Sequence, residues 1–272
     1  MSVPRGQMVT INGQAYMVVD EPQKRVSTGS CWNKFFVNRN GVIAMSLRDS
    51  TIILSILLTG SLLTMLGIAC KQGKYRCDLL EGEFPMVSDI LCLPFFDRLW
   101  CIGTTVFCWG VMQVNVRAIY QVFHGIITPR QNDVMATFGI LCIISFPLIG
   151  YFDENDYWVI HIILAAIFFG ATTIYANRLA HYLHKHKSAF REEYQGKIRM
   201  LYIIGNIMIG NLIVLAISWP LGWFPALFEW ILAVLYINFF TFASFMNDYY
   251  QSIHQVTDYI KDGEDEVKTI VA

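Results

Sequence analysis

Residues 200–245 read MLYIIGNIMIGNLIVLAISWPLGWFPALFEWILAVLYINFFTFASF, and Glu229 is the single Asp, Glu, Lys or Arg residue among them. The hydrocarbon core of a bilayer is about 30 Å thick and an α-helix rises about 1.5 Å per residue, so about 20 apolar residues make one span. The stretch is too long for one such helix and long enough for two. The segment WPLGWFP at 219–225 divides it, because proline lacks a backbone donor and glycine releases the chain into a turn. We therefore predict two membrane-spanning helices here.

The rest of the chain contains four more uncharged stretches long enough to cross a bilayer, namely residues 51–70, 99–116, 134–152 and 157–177. Of all residues 55% are hydrophobic and 15% are charged, whereas soluble proteins carry about 25% charged residues. The predicted fold class is therefore all-α, a polytopic membrane protein with a six-transmembrane-helix bundle. Its helices are expected near 51–70, 99–121, 134–152, 157–179, 200–218 and 225–247.

The sequence divides into an N-terminal extension at 1–50, the six-helix membrane domain at 51–247 and an acidic tail at 248–272. Within the extension, residues 8–19 predict a β-hairpin, since Asn12 and Gly13 favour the positive φ angles of a two-residue turn. A lone hairpin is only marginally stable in water, so we expect it to pack on the bundle or on a protein partner. Residues 33–48 mix bulky apolar and basic side chains, which fits either a segment lying on the membrane surface or an ordinary linker.

The distribution of basic residues predicts the orientation. An even number of spans puts both termini on one side of the membrane. That side holds 16 of the 20 Lys and Arg residues, and the other side holds Lys71, Lys74, Arg76 and Arg98. Because basic residues accumulate on the cytosolic side, we expect both termini to be cytosolic.

Composition and cysteine spacing also limit the chemistry. A formal net charge of -1 excludes the basic surplus that nucleic-acid binding requires. The Cys and His spacing suggests no metal site, and no motif predicts a cofactor. Cys77 and Cys92 both fall in the large exterior loop, in an oxidising compartment, so we expect them to form a disulfide bond.

Two titratable residues stand out inside the predicted spans. An ionisable group within a span costs on the order of 3 kcal/mol unless it faces a partner or water, which makes Glu229 informative. His161 lies at about the same depth of the same leaflet. The two side chains could meet across the bundle, which would suit proton transfer or the binding of a polar headgroup. The alternative is that both only hydrogen-bond neighbouring helices and fix their packing.

Other polar residues of the spans favour structural interpretations. Arg117 lies near the cytosolic end of the second span, where it can snorkel, although it also remains a candidate lipid ligand. Asn206 and Gly210 share one face of the fifth span, as Ala166 and Gly170 do in the fourth. Small residues four apart permit close helix contact, and an amide can hydrogen-bond across it.

Several short motifs resemble the DRAM/FRAG/SFK family of six-span membrane proteins over residues 50–255. The exterior loop FPMVSD at 84–89, followed by Pro94, is similar to that family's Pro-aromatic-Ile-Ser-Asp loop. The remaining matches are His161, KIRM at 197–200, EW at 229–230, FTF at 240–242 and DYY at 248–250. The chain departs from the family pattern at Leu91, Ile162 and Ile163.

The resemblance implies a location and three kinds of function. DRAM-like members are lysosomal or endosomal modulators of autophagy, SFK-like members support phosphoinositide kinase recruitment, and the post-GPI-attachment branch acts in Golgi lipid remodelling. EW at 229–230 is nearer the first branch. WCIG at 100–103 and the segment from Tyr151 and Phe152 to His161 are nearer the third.

Our leading hypothesis is a non-enzymatic endomembrane protein that binds membrane lipids or partner proteins, with the 71–98 loop capping His161 and Glu229. The competing hypothesis is a lipid-modifying enzyme with His161 as base, Glu229 or Asp89 orienting it, and Ser88 as the available nucleophile. A third hypothesis is a transporter or channel that uses Glu229.

Overall fold

The structure is a computed structural model that describes residues 8–11, 14–17, 36–39, 42–45, 47–78, 83–219, 224–247 and 249. The described helices are α1 (Leu47–Lys71), α2 (Val87–Leu91), α3 (Phe96–Phe107), α4 (Gln113–Val122), α5 (Pro129–Tyr151), α6 (Glu154–Lys185), α7 (Gln195–Ser218) and α8 (Phe224–Phe242). A π-helix at Cys108–Met112 joins α3 to α4, so these two helices form one continuous span.

Six spans are long and apolar enough to cross a membrane among the described residues, which confirms the predicted fold class. The helices extend beyond the predicted ends. The predicted ends lie at the first charged residues, whereas a helix can continue past the membrane into water. For example, α5 begins at Pro129 rather than 134, and the hydroxyl of its N-cap residue Thr128 accepts a hydrogen bond from Gln131 N. The last turns of α6, up to Lys185, likewise carry basic residues past the apolar stretch.

The six spans pack in the order α1, α3–α4, α5, α6, α7, α8, and α8 returns to α1. Interhelical amide bonds fasten α8 to both of its neighbours: Asn238 Nδ2 donates to Thr59 Oγ1 of α1 (2.8 Å), and Asn211 Nδ2 of α7 donates to the Phe228 carbonyl (2.9 Å). The centre of the bundle is aromatic, since Phe146 of α5 stacks on Phe168 of α6 with ring centroids 4.4 Å apart. The ring of helices is therefore closed and filled by side chains.

The two ends of the bundle differ. One end, here called the loop end, carries the connection from α1 to α3 and the turn between α5 and α6. The other, the terminus end, carries the start of α1, the end of α4 and the end of α8. Three buried polar residues meet at the terminus end: Asn115 Nδ2 donates to Thr51 Oγ1, and Asn247 Nδ2 donates to Asn115 Oδ1, each over 2.9 Å.

Strands precede the first span. β1 (Met8–Ile11) pairs antiparallel with β2 (Gln14–Met17), and Ile11 lies opposite Gln14. This register is the one that a two-residue turn at 12–13 requires, although the turn residues themselves lie outside the described residues.

A second antiparallel pair lies within residues 33–48, for which we expected a segment on the membrane surface or an ordinary linker. β3 (Phe36–Arg39) pairs with β4 (Val42–Met45), with Arg39 opposite Val42. The sequence between these strands is Asn40–Gly41, the same dipeptide that predicts the first hairpin. The sequence therefore contained the turn signal of a second hairpin. We based the prediction for 33–48 on its mixed apolar and basic composition and did not use that signal. The acidic tail, apart from Tyr249, lies outside the described residues.

Candidate functional site at the loop end

The loop end begins with a disulfide bond that corrects the predicted pairing. Cys77 is bonded to Cys70, with their Cα atoms 5.7 Å apart, and Cys92 is a free thiol. Cys70 lies in the last turn of α1, and the chain reverses at Gly73, whose φ of 66° is easily adopted by glycine. This tight reversal brings Cys77 back to the helix end. Cys92 instead follows α2 and lies beside the backbone of Glu154 at the start of α6.

A capping interaction forms the short helix α2. Its N-cap residue is Met86, whose N–H donates to Asp89 Oδ2 over 2.8 Å. The Tyr75 hydroxyl donates to the backbone carbonyl of Asp89 over 3.0 Å and fixes α2 to the preceding chain. Burial raises the pKa of the Asp89 carboxyl, the Met86 N–H opposes this effect, and the nearby Glu154 carboxylate adds to it.

Glu229 holds α2 against α8. The Val87 N–H donates to Glu229 Oε2 over 2.9 Å, and the Ser88 N–H faces the same carboxylate. These are free backbone donors of the first turn of α2, and a carboxylate is their most favourable partner. A residue 142 positions further along the chain therefore caps this helix.

Trp230, the next residue of α8, extends the contact to the chain that precedes α2. Its indole Nε1 donates to the Pro85 carbonyl over 2.9 Å, and the Phe84 ring packs edge-on against the indole with centroids 6.3 Å apart. Trp230 is buried, with 6% of its surface exposed. We call the contacts of Glu229 and Trp230 with residues 84–88 the α2 clamp.

His161 belongs to a separate contact. It is 6% exposed, and its Nδ1 lies 2.8 Å from the Phe152 carbonyl, which can only accept, so Nδ1 carries the proton. This bond closes the turn between α5 and α6. The described residues contain no hydrogen bond or ion pair between His161 and Glu229. Of the two alternatives that the sequence left open, separate hydrogen bonds of the two groups are the one observed.

The structure thus brings Ser88, Asp89 and Glu229 together and leaves the other two candidates apart. Ser88 is buried and contributes its backbone N–H. Arg117 lies on α4, in the half of its span that leads to the terminus end, and is exposed. Tyr75 and the Trp230–Pro85 bond were not predicted from the sequence. Both members of that bond fall within quoted family motifs, whereas nothing in the sequence marks Tyr75.

A groove of about 270 Å³ lies beside the end of α2. Its charged lining residues are Asp97, Arg98, Asp153 and Asp156. Asp153 is already engaged, because its Oδ1 accepts a hydrogen bond from Asp156 N as the N-cap of α6. Among the described residues, no group of three or more His, Cys, Asp or Glu side chains could hold a metal ion.

Comparison with known protein families gives a match over most of the chain. The family model described as Frag1/DRAM/Sfk1/Cwh43P N-terminal domain matches residues 50–251. No curated protein and no solved structure matches the chain. Both halves of the α2 clamp lie within the matched residues.

Proposed function

This chain belongs to the Frag1/DRAM/Sfk1/Cwh43P N-terminal domain family, as the sequence resemblance predicted, and from that premise we propose that it is a non-catalytic multi-pass protein of the endomembrane system. In this proposal it binds membrane lipids or partner proteins and modulates autophagy or membrane-lipid homeostasis, as the DRAM-like branch implies. The N-terminal extension is the proposed site for a protein partner.

The observation that supports a non-catalytic role is the use of Glu229. Its carboxylate accepts from the Val87 N–H and faces that of Ser88, so it serves as a helix cap. General-base catalysis requires a nucleophile and a base within hydrogen-bonding distance of each other. Here Ser88 faces Glu229 through its backbone, and His161 is bonded to Phe152. The same capping role argues against Glu229 as a carrier of transported ions.

The disulfide bond supports an orientation. Disulfide bonds persist in oxidising compartments, so Cys70–Cys77 favours a lumenal loop end. Sixteen of the 20 basic residues lie on the side of the termini, which favours the same orientation by an independent argument. We therefore propose cytosolic termini and a lysosomal, endosomal or Golgi location.

A second candidate is a GPI-anchor lipid-remodelling factor of the Golgi. The observation in its favour is the bond between His161 and the Phe152 carbonyl, because these two residues lie in the segment that resembles the GPI-remodelling branch. In this proposal the buried histidine preserves the turn between α5 and α6 that the branch shares.

The test compares three chains in two cell lines. Wild type, Glu229→Gln and Glu229→Ala are expressed in cells lacking the endogenous protein, where autophagic flux is measured, and in cells lacking the GPI-remodelling factor, where surface display of GPI-anchored proteins is measured. A capping role predicts that Glu229→Gln, which keeps an acceptor oxygen, retains activity that Glu229→Ala loses.

The two readouts separate the candidates. A change in flux with a lysosomal location supports the first proposal, and rescue of GPI-anchored display supports the second. Equal loss in both Glu229 variants, at wild-type protein levels, would show that the ionisable carboxyl itself is needed and would contradict the capping role.

A further inference from the structure

The outer surface of α7 carries a polar residue that the bundle does not use. The side chains that project away from the neighbouring helices, here called the α7 outer face, are Ile203, Asn206, Ile207, Gly210, Ile213 and Ile217. The four isoleucines are 50 to 72% exposed. In a membrane span such a face meets hydrocarbon, and an asparagine there requires an explanation.

The inner face of α7 already makes the contacts that we predicted for Asn206 and Gly210. A Cβ at Gly205 would lie 3.1 Å from the Ala180 Cβ of α6 and 3.4 Å from the Ala176 carbonyl, so Gly205 is the close-approach residue. Asn211 makes the amide bond to α8. The predicted pair Asn206–Gly210 therefore makes no interhelical contact of this kind within the described bundle, and a Cβ added at Gly210 would meet nothing within 4 Å.

Asn206 has unused hydrogen-bonding capacity. Its Nδ2 donates to the Tyr202 carbonyl of its own helix over 2.7 Å. The second amide hydrogen and Oδ1 have no partner among the described residues. Asn206 lies about 17 Å along the helix from either end of α7, too far for a short side chain to reach water. An unsatisfied amide in hydrocarbon is costly, so a partner within the membrane is favoured.

We propose that two copies of this chain pair in the membrane through the α7 outer face, with the Asn206 amides hydrogen-bonded to each other across a twofold axis. An amide is both a donor and an acceptor, so a second copy of itself satisfies it. A second copy inserted in the same orientation also places its Asn206 at the same depth, which an unrelated helix does not guarantee.

The other residues of the α7 outer face also fit a second copy of this chain. Gly210 lies one helical turn from Asn206, and the open space beside it lets two backbones approach closely. The surrounding isoleucines are apolar and give a contact surface without like-charge repulsion.

The experiment measures dimerisation of the full chain in lipid. Wild type carrying one fluorophore is reconstituted into phosphatidylcholine vesicles over a range of protein-to-lipid ratios, and photobleaching steps are counted. We expect the two-step fraction to rise with the protein-to-lipid ratio. Asn206→Leu should shift this curve by about tenfold toward higher protein, because interhelical amide bonds contribute modestly to association. Gly210→Ile should shift it in the same direction, and Asn206→Gln should retain much of the pairing.

The matched control is Gly60→Ile on α1, another exposed span glycine with nothing within 4 Å. It should leave the curve unchanged. All variants alter lipid-facing positions, and an unchanged unfolding temperature verifies that each one folds. Single-step bleaching of wild type at every ratio would overturn the proposal, as would equal dimerisation of wild type, Asn206→Leu and Gly210→Ile. So would an equal effect of Gly60→Ile, or a monomeric wild type that is crosslinked in cells to a different protein through Asn206.

Discussion

Glu229 joins two segments that are far apart in the chain by accepting a backbone N–H from Val87. The sequence singles out this residue because a charge inside a span needs a partner, and it left two interpretations open: a contact with His161, or separate hydrogen bonds that fix packing. Among the described residues the hydrogen bonds of Glu229 and His161 are separate. The sequence of side chains indicates how deep a residue lies in the membrane. The partner of Glu229 is a backbone N–H group, and because every residue except proline has one, the sequence does not identify which residue supplies it. The same limit applies to Cys77, whose pairing depends on the chain reversal at Gly73 rather than on the compartment.

The first prediction concerns the capping bond itself. Glu229→Ala should lower the free energy of unfolding by about 1–3 kcal/mol, since it leaves the backbone N–H groups of Val87 and Ser88 without their acceptor. Glu229→Gln should cost less, because its carbonyl oxygen can still accept from Val87. Thermal unfolding of the purified chain in detergent measures both. Equal costs for the two variants would show that the charge, rather than the acceptor, stabilises the clamp.

The second prediction is a pH dependence that originates at Asp89. Its pKa in the folded chain is raised above the ordinary value of 3.8, chiefly by burial, so the folded state holds a proton more tightly than the unfolded state. The contribution of Asp89 to stability should therefore be largest below that ordinary value and decrease as the pH rises from 3.8 through the raised pKa.

Asp89→Asn keeps an oxygen that can accept from the Met86 N–H and removes the titration. Its unfolding free energy should vary less with pH across this window than that of wild type. Glu192→Gln, at an exposed position between α6 and α7, is the control and should follow the wild-type profile. If Asp89→Asn instead shows the full wild-type decrease, another group is responsible.

Helices were predicted well because the length of an uncharged segment reports directly on the thickness of the hydrocarbon core. Features set by hydrogen bonding at aqueous ends were predicted less well. The helices run past the uncharged stretches into water, and α2 is too short to show a periodic pattern. The β3–β4 pair carries an Asn40–Gly41 turn signal that the composition of 33–48 outweighed. The π-helix at Cys108–Met112 has no sequence signal that we can identify.

The third prediction concerns the close packing of α5 against the second span at Gly139. A Cβ at Gly139 would lie 2.8 Å from Val116 Cγ1 and 3.2 Å from Tyr175 Cε2. Both neighbours are buried, and valine is stiff at χ1, so Gly139→Ala should destabilise the fold by about 1–3 kcal/mol. Gly60→Ala meets open space and should be neutral or stabilising by up to about 1 kcal/mol. A pair of unfolding measurements in detergent compares them, and a Gly139→Ala chain as stable as Gly60→Ala would show that the helices separate at no cost.

For the whole molecule, the arrangement of charges, disulfide bond and spans predicts one orientation. Epitope tags at both termini should bind antibody in cells whose plasma membrane alone has been permeabilised. A tag inserted between Asp78 and Glu83 should bind only after the internal membranes are also opened. Accessibility of the inserted tag under the first condition would place the loop end in the cytosol.

Asn115 joins the beginning and the end of the membrane domain, through Thr51 on one side and Asn247 on the other. The sixth span is synthesised last. Until then the Asn115 side-chain carbonyl, in the second span, lies in apolar surroundings without the donor that Asn247 later supplies. Completion of the bundle is therefore coupled to the final stage of biosynthesis. Products that end between residues 243 and 246 keep α1 to α8 but lack the Asn247 donor. Premature-stop alleles in this short interval should therefore be degraded by quality-control machinery although the helices themselves are complete.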